Sequence, residues 1–506
     1  PPCRIMSGHT APVENNIGKG TLTKSSKRSR STPRKRAGDS KDGKKQKTAP
    51  SIPLGQRDSK RQRALLKPFG DMVQEAKELW NKLREKTVGK EAKAELVDKI
   101  MILIDTKIYE IIARHDASRV IQACFRYGSE EAQKKICSEL KDHYFELSLA
   151  AYGHFMLKSM LRHAKKQERI EIVAAFKGNF CKMATHVTGA SVLELLYQNR
   201  GGRDFQREIV PKGTYKKLAR EFYGREFQIF SNAKEDVDMR VYLAENPDRR
   251  DGVLGDMKRL LDKQISKGLH HLEFSQAFLC EYVQLMHDAG KSIEPLLGTI
   301  ADSTLQFAST YPGSTVVVHA LTYGNAKIRK QIVKQLRGRS RDVLKHPHGY
   351  LAVLKALDCV DDTVLLKKNI LADALQEADA LKELVQDENS SKILLHLLAP
   401  GENRYLNSRD ISMLALVGET SKKDKSTRRE ELLPALKDQL ESLFASDYEN
   451  LLVSAMGAKI FYEGVKLWGA PSDGVEKKIV SFLKKQGKKI VLNKSQLKEL
   501  QKLLKK

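Results

Sequence analysis

Asp116-Ala-Ser-Arg-Val-Ile-Gln122 is followed 36 residues later by Tyr152-Gly-His-Phe-Met-Leu-Lys158, and after another 36 residues by Thr188-Gly-Ala-Ser-Val-Leu-Glu194. The same interval separates Pro312-Gly-Ser-Thr-Val-Val-Val318 from His348-Gly-Tyr-Leu-Ala-Val-Leu354. Each copy places apolar residues at helical spacing after a small residue, which predicts the start of a helix with one buried face. A helical repeat of this length predicts an α-solenoid, in which each repeat buries its apolar face against its neighbours.

The rest of the chain also favours an all-α fold. Leu96, Ile100, Leu103 and Ile104 show the spacing of three and four residues that marks a helix face, and alternating strand patterns are almost absent. Weaker copies of the repeat follow further along, beginning at residues 275, 390 and 457. We therefore expect a right-handed superhelical solenoid with two blocks of repeats.

The charge of the chain predicts a polyanionic partner, either nucleic acid or an anionic membrane surface. The 90 Lys and Arg exceed the 63 Asp and Glu by 27. Residues 1–70 hold 18 basic and 4 acidic residues, a net of +14, and residues 477–506 hold 11 and 1, a net of +10. Residues 21–63 are nearly devoid of large apolar residues, and we expect neither segment to form an apolar helix face, so the interpretation is two disordered basic tails. The sequence has no apolar run long enough to span a bilayer.

The first tail contains three basic clusters typical of a nuclear import signal, or of an arm that grips phosphates. An import receptor is the partner that the first interpretation implies. The clusters consist of Lys27, Arg28, Arg34, Lys35, Arg36, Lys44 and Lys45.

Ile108-Tyr-Glu-Ile-Ile-Ala-Arg-His-Asp-Ala-Ser-Arg-Val-Ile-Gln122 resembles the Pumilio (PUF) repeat. Two further stretches, Glu221-Phe-Tyr-Gly-Arg-Glu-Phe227 and Lys422-Lys-Asp-Lys-Ser-Thr-Arg-Arg-Glu-Glu-Leu-Leu433, are similar to segments of the Puf-A-like nucleolar branch of that family. The second of them opens the C-terminal conserved region of the branch. The resemblance covers about residues 75–465.

The resemblance and the composition together predict six segments. They are a basic tail over 1–70, N-terminal Pumilio repeats over 71–230, a polar linker over 231–256, C-terminal Pumilio repeats over 257–412, the C-terminal conserved region with a degenerate repeat over 413–476, and a Lys-rich tail over 477–506.

In a Pumilio repeat, three side chains of one helix read one RNA base. By the family code, Ser118 and Gln122 match the adenine-reading pair, and Arg119 is the residue that stacks between bases. His154, Phe155 and Lys158 depart from the code, although they suit stacking and phosphate contact. Ala190 and Glu194 only half-match the guanine pair. An ordinary surface or core position is the simpler interpretation of each residue.

The later repeats carry mostly apolar residues at these positions, such as Val318, Leu354 and Leu395, which cannot make a bidentate base contact. This loss predicts binding of RNA, and also of DNA, by charge and shape with little sequence preference. A second basic cluster is a candidate phosphate-binding patch, or else a solvated helix face. It consists of Arg200, Arg203, Arg207, Lys212, Lys216, Lys217 and Arg220.

The sequence offers little support for catalysis. It has no Walker loop, HExxH, GxSxG or dinucleotide fingerprint. The six cysteines are scattered, without a CxxC pair, which favours a reducing compartment and a packing role. His270, His271, His346 and His348 have no metal-ligand spacing and are interpreted as packing or helix-capping residues. We expect no enzyme activity, no metal and no cofactor.

The resemblance implies a nucleolar protein that binds pre-ribosomal RNA and acts with assembly proteins in maturation of the large ribosomal subunit. One alternative is a protein-interaction scaffold of the pre-ribosome, in which the tails alone touch RNA. The other is a sequence-specific, mRNA-binding translational repressor.

Overall fold

Most of the predicted repeats fold as a long helix, a short helix and a second long helix. The computed structural model describes residues 66–198, 213–226, 238–376, 379–418, 421–471, 474–486 and 489–505. Within these residues the secondary structure is helical and contains no strand, which confirms the all-α prediction.

The first third of the described chain contains eleven α-helices: Gly70–Leu83, Lys90–Leu103, Ile108–Ile112, His115–Tyr127, Glu130–Leu140, Tyr144–Leu149, Gly153–His163, Lys166–Ala174, Phe180–Ala184, Val187–Gln198 and Thr214–Ala219. The middle contains Met239–Glu245, Arg250–Ser266, Glu273–Asp288, Glu294–Asp302, Thr304–Ala308, Tyr311–Tyr323, Ala326–Leu336, Ser340–Lys345, Gly349–Cys359, Thr363–Leu366, Ala372–Ala374, Ala380–Gln386 and Glu388–Leu398. The last part contains Ser408–Leu414, Lys425–Leu432, Pro434–Ser446, Tyr448–Val453, Ala455–Trp468, Val475–Lys485 and Lys494–Leu503. Short 3-10 or π-helical segments join them at Lys141–His143, Arg220–Glu226, Pro247–Arg249, Leu269–His271, Lys367–Leu371 and Asn403–Tyr405.

A close backbone approach explains the small residue at the start of the second long helix. A Cβ atom at Gly153, Gly189 or Gly349 would lie 2.9 Å from a carbonyl oxygen of the preceding short helix. Because real Cβ atoms do not approach so closely, a larger residue there would force the two helices apart. The recurring glycine therefore reflects a packing contact of the fold.

The second long helices pack side by side in chain order and form what we call the inner row. The helix Gly70–Leu83 packs against the first member of this row. The row consists of His115–Tyr127, Gly153–His163, Val187–Gln198, Glu273–Asp288, Tyr311–Tyr323, Gly349–Cys359, Glu388–Leu398 and Ala455–Trp468.

The inner row continues across the predicted linker. The Glu194 carboxylate accepts hydrogen bonds from the backbone N–H groups of Glu273 and Phe274, both at 3.1 Å. The Gln264 side chain donates to the Ala184 carbonyl at 3.3 Å. The two predicted blocks are therefore adjacent in the array. Residues 231–256 are also not wholly a linker, because this segment contains Met239–Glu245 and the start of Arg250–Ser266.

The prediction of a disordered tail over 477–506 is wrong for the residues that the structure describes. Val475–Lys485 and Lys494–Leu503 are helices, and Ile479, Leu483 and Leu500 on them are almost completely buried. The lysines occupy the other helix faces, so their number conceals an amphipathic pattern.

Each of the two stretches similar to the Puf-A-like branch contributes a described residue to a packing junction. Glu221 accepts hydrogen bonds from the N–H groups of Gly178 and Phe180, at 2.5 and 2.8 Å. Arg429 donates to the last carbonyls of the helix Glu388–Leu398, at 2.6 Å to Leu397 and 2.9 Å to Leu398. Both stretches thus join helices of different repeats.

The packing role predicted for the cysteines is confirmed for the five thiols described. Cys124, Cys137 and Cys359 are buried, and Cys181 and Cys280 are partly buried. Burial raises the pKa of Cys124, Cys181 and Cys280 to about 12, so these thiols are poor nucleophiles. No helix among the described residues is both long and apolar enough to cross a bilayer.

Candidate nucleic-acid interface

An open groove of about 400 Å³, which we call the basic groove, is lined by residues of three helices and the residue after the first of them. The helices are Gly70–Leu83, His115–Tyr127 and Gly153–His163. Its lining combines cationic and aromatic side chains and includes no carboxylate. The lining residues are Trp80, Arg84, Arg119, Gln122, Ala123, Arg126, Tyr127, Phe155, Lys158, Ser159, Arg162 and His163.

The basic groove contains five cations, and among the described residues none of them forms an ion pair, whereas Lys165 and Lys258 elsewhere pair with Glu130 and Asp262. The Glu194 carboxylate acts on Lys158 only from beyond ion-pairing distance. Burial, followed by repulsion from Arg162, lowers the pKa of Lys158. Unpaired cations crowded into one groove create a positive potential that attracts an anionic strand. They are Arg84, Arg119, Arg126, Lys158 and Arg162.

Exposed aromatic rings lie among these cations. Phe155 is 48% exposed and Tyr127 is 42% exposed. The Arg84 guanidinium lies 4.7 Å from the centroid of the Trp80 ring. Rings with an open face stack on nucleic-acid bases of any identity, and cations between them contact the phosphates. The groove therefore suits a single strand bound without a sequence code.

The structure contradicts direct base reading by Ser118. This residue is 1% exposed, and its hydroxyl donates to the Tyr152 carbonyl at 3.1 Å. Gln122 in turn donates its side-chain amide to the Ser118 hydroxyl at 3.0 Å. The adenine-reading pair is thus engaged within the protein, while Arg119 beside it is exposed.

His154 is also not a reading residue in this structure. It is 7% exposed, and its Nδ1 lies 3.0 Å from the Ala150 carbonyl oxygen. Its ring lies 3.9 Å from that of Phe155, measured between centroids. His154 therefore supports the exposed Phe155 ring from below. Phe155 and Lys158, the other two predicted residues of this repeat, line the basic groove.

In the C-terminal repeats, a segment of the chain covers the inner row. The Arg409 guanidinium lies 3.6 Å from the centroid of the Tyr311 ring and donates to the Ser314 hydroxyl at 2.8 Å. Asp410 accepts a hydrogen bond from the Tyr350 hydroxyl at 2.7 Å. Ser314 and Tyr350 occupy the place of Ser118 in their copies of the repeat, so they are the first reading positions there. The helix Ser408–Leu414 therefore excludes a base from both. The prediction that these repeats do not read bases agrees with this arrangement.

The predicted phosphate patch is described only in part. Arg200, Arg203, Arg207 and Lys212 lie outside the described residues, as do all seven residues of the predicted import signal. Lys216 and Lys217 are exposed on the helix Thr214–Ala219. Arg220 is 5% exposed, so the prediction that it contacts phosphate is wrong for this structure.

Sequence reasoning missed six cationic or aromatic residues of the groove, and a signal existed for two of them. Arg126 lies two turns after Arg119, and Arg162 lies two turns after Phe155, so each extends a predicted helix face. The 36-residue offset also aligns Arg126 with Arg162. Tyr127 and His163 lie one position off that face. Trp80 and Arg84 come from a helix without a matching repeat, and only its packing position reveals them.

The histidines singled out earlier have structural partners. His346 Nδ1 accepts hydrogen bonds from the backbone N–H groups of His348 and Gly349, at 3.2 and 3.1 Å. His346 therefore caps the start of the helix Gly349–Cys359. His270 lies 3.1 Å from the Ser303 hydroxyl. Within the described ranges, no group of three or more His, Cys, Asp or Glu is arranged to hold a metal ion.

Two family models match the chain. The Pumilio-family RNA binding repeat matches residues 117–141, and the CPL (NUC119) domain matches residues 386–501. The second range extends beyond the predicted conserved region at both ends and includes most of the folded C-terminal helices.

The chain is similar to proteins from several eukaryotes. It is 28% identical over 411 residues to Pumilio homology domain family member 6 of Schizosaccharomyces pombe, covering 80% of this chain and 62% of that protein. It is 31% identical over 377 residues to Pumilio homolog 3 of Homo sapiens, covering 74% of this chain and 56% of that protein. The chain thus spans roughly three-fifths of the length of these relatives.

Solved structures show the same fold. The crystal structure of human Puf-A has 26% sequence identity and a TM-score of 0.69, over 81% of this chain and 78% of that one. The crystal structure of human Puf-A in complex with DNA has 27% identity and a TM-score of 0.70, over 82% and 79%. The matched repeat model is one of RNA-binding repeats, and the fold is that of the two Puf-A structures. The chain contains a Pumilio-family repeat and a CPL (NUC119) domain, and it shares the fold of human Puf-A.

Proposed function

We propose that the protein binds RNA, and also DNA, through the basic groove with little sequence preference. The observation that carries this proposal is the set of five unpaired cations interleaved with exposed rings in a groove without carboxylates. The complex of human Puf-A with DNA supports it, since that protein has the same fold.

The same geometry disfavours the two alternatives. A translational repressor needs several repeats that read bases, but Ser118 is buried and the helix Ser408–Leu414 covers two reading positions. A scaffold whose tails alone touch RNA would have no need for a cationic and aromatic groove on the folded repeats. The groove therefore favours nucleic acid as the ligand of the folded repeats.

Replacement of Arg119, Arg126 and Arg162 with glutamine tests the groove. We expect weaker binding to every single-stranded RNA, and a slope of log affinity against log salt that is shallower by up to about 2, at about 0.7 for each phosphate that is no longer neutralised. The matched control replaces Lys135, Lys165 and Lys258 with glutamine, because these exposed lysines pair with carboxylates and the change in charge is equal. Equal slopes in the two triple variants would contradict the proposal.

We also propose that the bound RNA is pre-ribosomal RNA of the large subunit, and that the protein acts with assembly proteins in the nucleolus. The resemblance of residues 221–227 and 422–433 to the nucleolar branch supports this assignment. Crosslinking in cells, followed by sequencing of the bound RNA, tests it. Recovery of one short motif from messenger RNAs would instead support the repressor alternative.

Localisation is proposed to depend on the basic clusters of the first tail, recognised by an import receptor. Replacing Arg34, Lys35, Arg36, Lys44 and Lys45 with glutamine should move the protein toward the cytoplasm, because the receptor contacts need positive charge. Unchanged nucleolar staining would assign localisation to another part of the protein.

A further inference from the structure

A row of unpaired cations lies on a helix that does not belong to the inner row. The helix Ala326–Leu336 is the first long helix of its repeat, and it packs against the corresponding helix Glu294–Asp302 of the preceding repeat. Its buried face contains Ile332, Val333 and Leu336. Exposed cations follow at spacings of three, four and three residues, so they form one stripe along the helix. This outer stripe consists of Lys327, Lys330, Lys334 and Arg337.

Two acids that contact this helix and the loop after it are engaged with other groups. Asp302 accepts a hydrogen bond from the Gln331 side chain, and Asp373 accepts those of the Gly338 and Ser340 backbone N–H groups. Within the described ranges, none of the four stripe cations forms an ion pair, whereas Lys135, Lys258 and Lys437 on the first long helices of other repeats do. Local charge pairing therefore does not account for the stripe.

We propose that the outer stripe is a second nucleic-acid site, which binds the phosphate backbone of a double helix. About ten residues of helix place its cations along about 15 Å. A duplex carries one negative charge per roughly 1.7 Å of its axis, so a length of about 15 Å carries about nine phosphate charges, and those on one side of the duplex can face the stripe. Each cation can then contact a phosphate without any deformation of the ligand.

The composition of the surface selects a duplex over other polyanions. No large apolar side chain is exposed between residues 325 and 341. Stable contacts with an acidic protein need aromatic or aliphatic anchors, and single strands need rings on which bases stack. A surface of lysine, arginine, asparagine and glutamine fits a duplex backbone, whose bases are already stacked. The basic groove, with its exposed rings, is the single-strand site, so the two surfaces divide the ligand classes.

Binding of a blunt-ended duplex and of an oligouridylate of equal charge tests the inference on the full chain, by fluorescence anisotropy over a salt series. The stripe variant replaces Lys327, Lys330, Lys334 and Arg337 with glutamine. The control replaces four exposed, ion-paired lysines with glutamine, namely Lys135, Lys165, Lys258 and Lys437. All eight positions are exposed, so circular dichroism should show the same folded protein in each case.

For a DNA duplex, the stripe variant should bind more weakly than the control, and its salt slope should be shallower by up to about 3.6, at about 0.9 for each phosphate that is no longer neutralised. Oligouridylate affinity should match that of the control. Equal duplex affinities in the stripe variant and the control would overturn the inference. Polyglutamate serves as a third ligand in the same assay, and loss of its binding with unchanged duplex binding would assign the stripe to an acidic protein instead.

The same experiment separates this inference from the proposed function. The groove variant, with glutamine at Arg119, Arg126 and Arg162, should lose oligouridylate affinity and keep most of its duplex affinity. If both variants weaken both ligands equally, one continuous positive field binds all nucleic acids, and the division into two sites is wrong.

Discussion

Replacement of Phe155 with alanine tests whether the basic groove stacks bases. The ring is 48% exposed, and its inner side rests on the His154 imidazole, which the Ala150 carbonyl holds at 3.0 Å. The contact with His154 therefore leaves about half of the Phe155 side chain open to a ligand. A base stacked on such a ring contributes about 1 to 3 kcal/mol. The variant should therefore bind single-stranded RNA about 5 to 160 times more weakly.

The assay compares an oligouridylate with an abasic strand of the same length, because only the first can stack. Phe155→Ala should lose affinity for the oligouridylate and little for the abasic strand, while Phe155→Trp should retain both. Tyr109→Ala is the matched control, since Tyr109 is 39% exposed and stacks on His143 at 3.7 Å, yet lies outside the groove lining. Equal losses on the two strands would refute base stacking at Phe155.

Four further outcomes are expected. Gln122→Ala should leave the ratio of affinities for adenine-containing and adenine-free RNAs unchanged in filter binding, because its partner Ser118 is buried. A loss of about 1 to 3 kcal/mol that is selective for adenine would instead show that this repeat reads an adenine. Asp410→Ala should lower the free energy of unfolding in urea by about 1 to 3 kcal/mol, since it removes the acceptor of the buried Tyr350 hydroxyl, and an unchanged midpoint would contradict the contact. Truncation after residue 471 should lower the midpoint of thermal unfolding, because it removes the buried side chains of Ile479, Leu483 and Leu500 from the core. An unchanged midpoint would show that the two C-terminal helices do not stabilise the repeat array. At about pH 8 the native protein should resist alkylation by iodoacetamide at Cys124, Cys181 and Cys280, because a pKa of about 12 leaves roughly 10⁻⁴ of each thiol ionised. Mass spectrometry should find these three cysteines alkylated only in denaturant.

The fold was predictable because its most repetitive contact leaves a trace in the sequence. The glycine at the start of the second long helix is required by a carbonyl of the short helix before it, and it recurs at intervals of 36 residues in the clearest copies. The C-terminal helices were missed for the opposite reason. Ile479 and Leu483 lie one helical turn apart on one face, but the surrounding lysines dominate the composition of that segment.

The candidate site was predictable only along a single helix. Arg119, Gln122, Phe155 and Lys158 follow from the repeat and line the groove. Whether a polar side chain points into the groove or bonds beneath it depends on the neighbouring repeat, as the bond from Ser118 to the Tyr152 carbonyl shows. The helix Ser408–Leu414 covers inner-row positions almost 100 residues earlier in the chain, and no periodicity reveals such a contact.

The most direct test of the account is to locate bound RNA on the protein. An oligonucleotide of 4-thiouridine is bound to the full chain, crosslinked with long-wavelength light and mapped by mass spectrometry. We predict crosslinked peptides from Gly70–Leu83, His115–Tyr127 and Gly153–His163, with attachment at the exposed rings of the basic groove. Crosslinks confined to Tyr311–Tyr323 and Gly349–Cys359, or to the first 65 residues, would contradict the account.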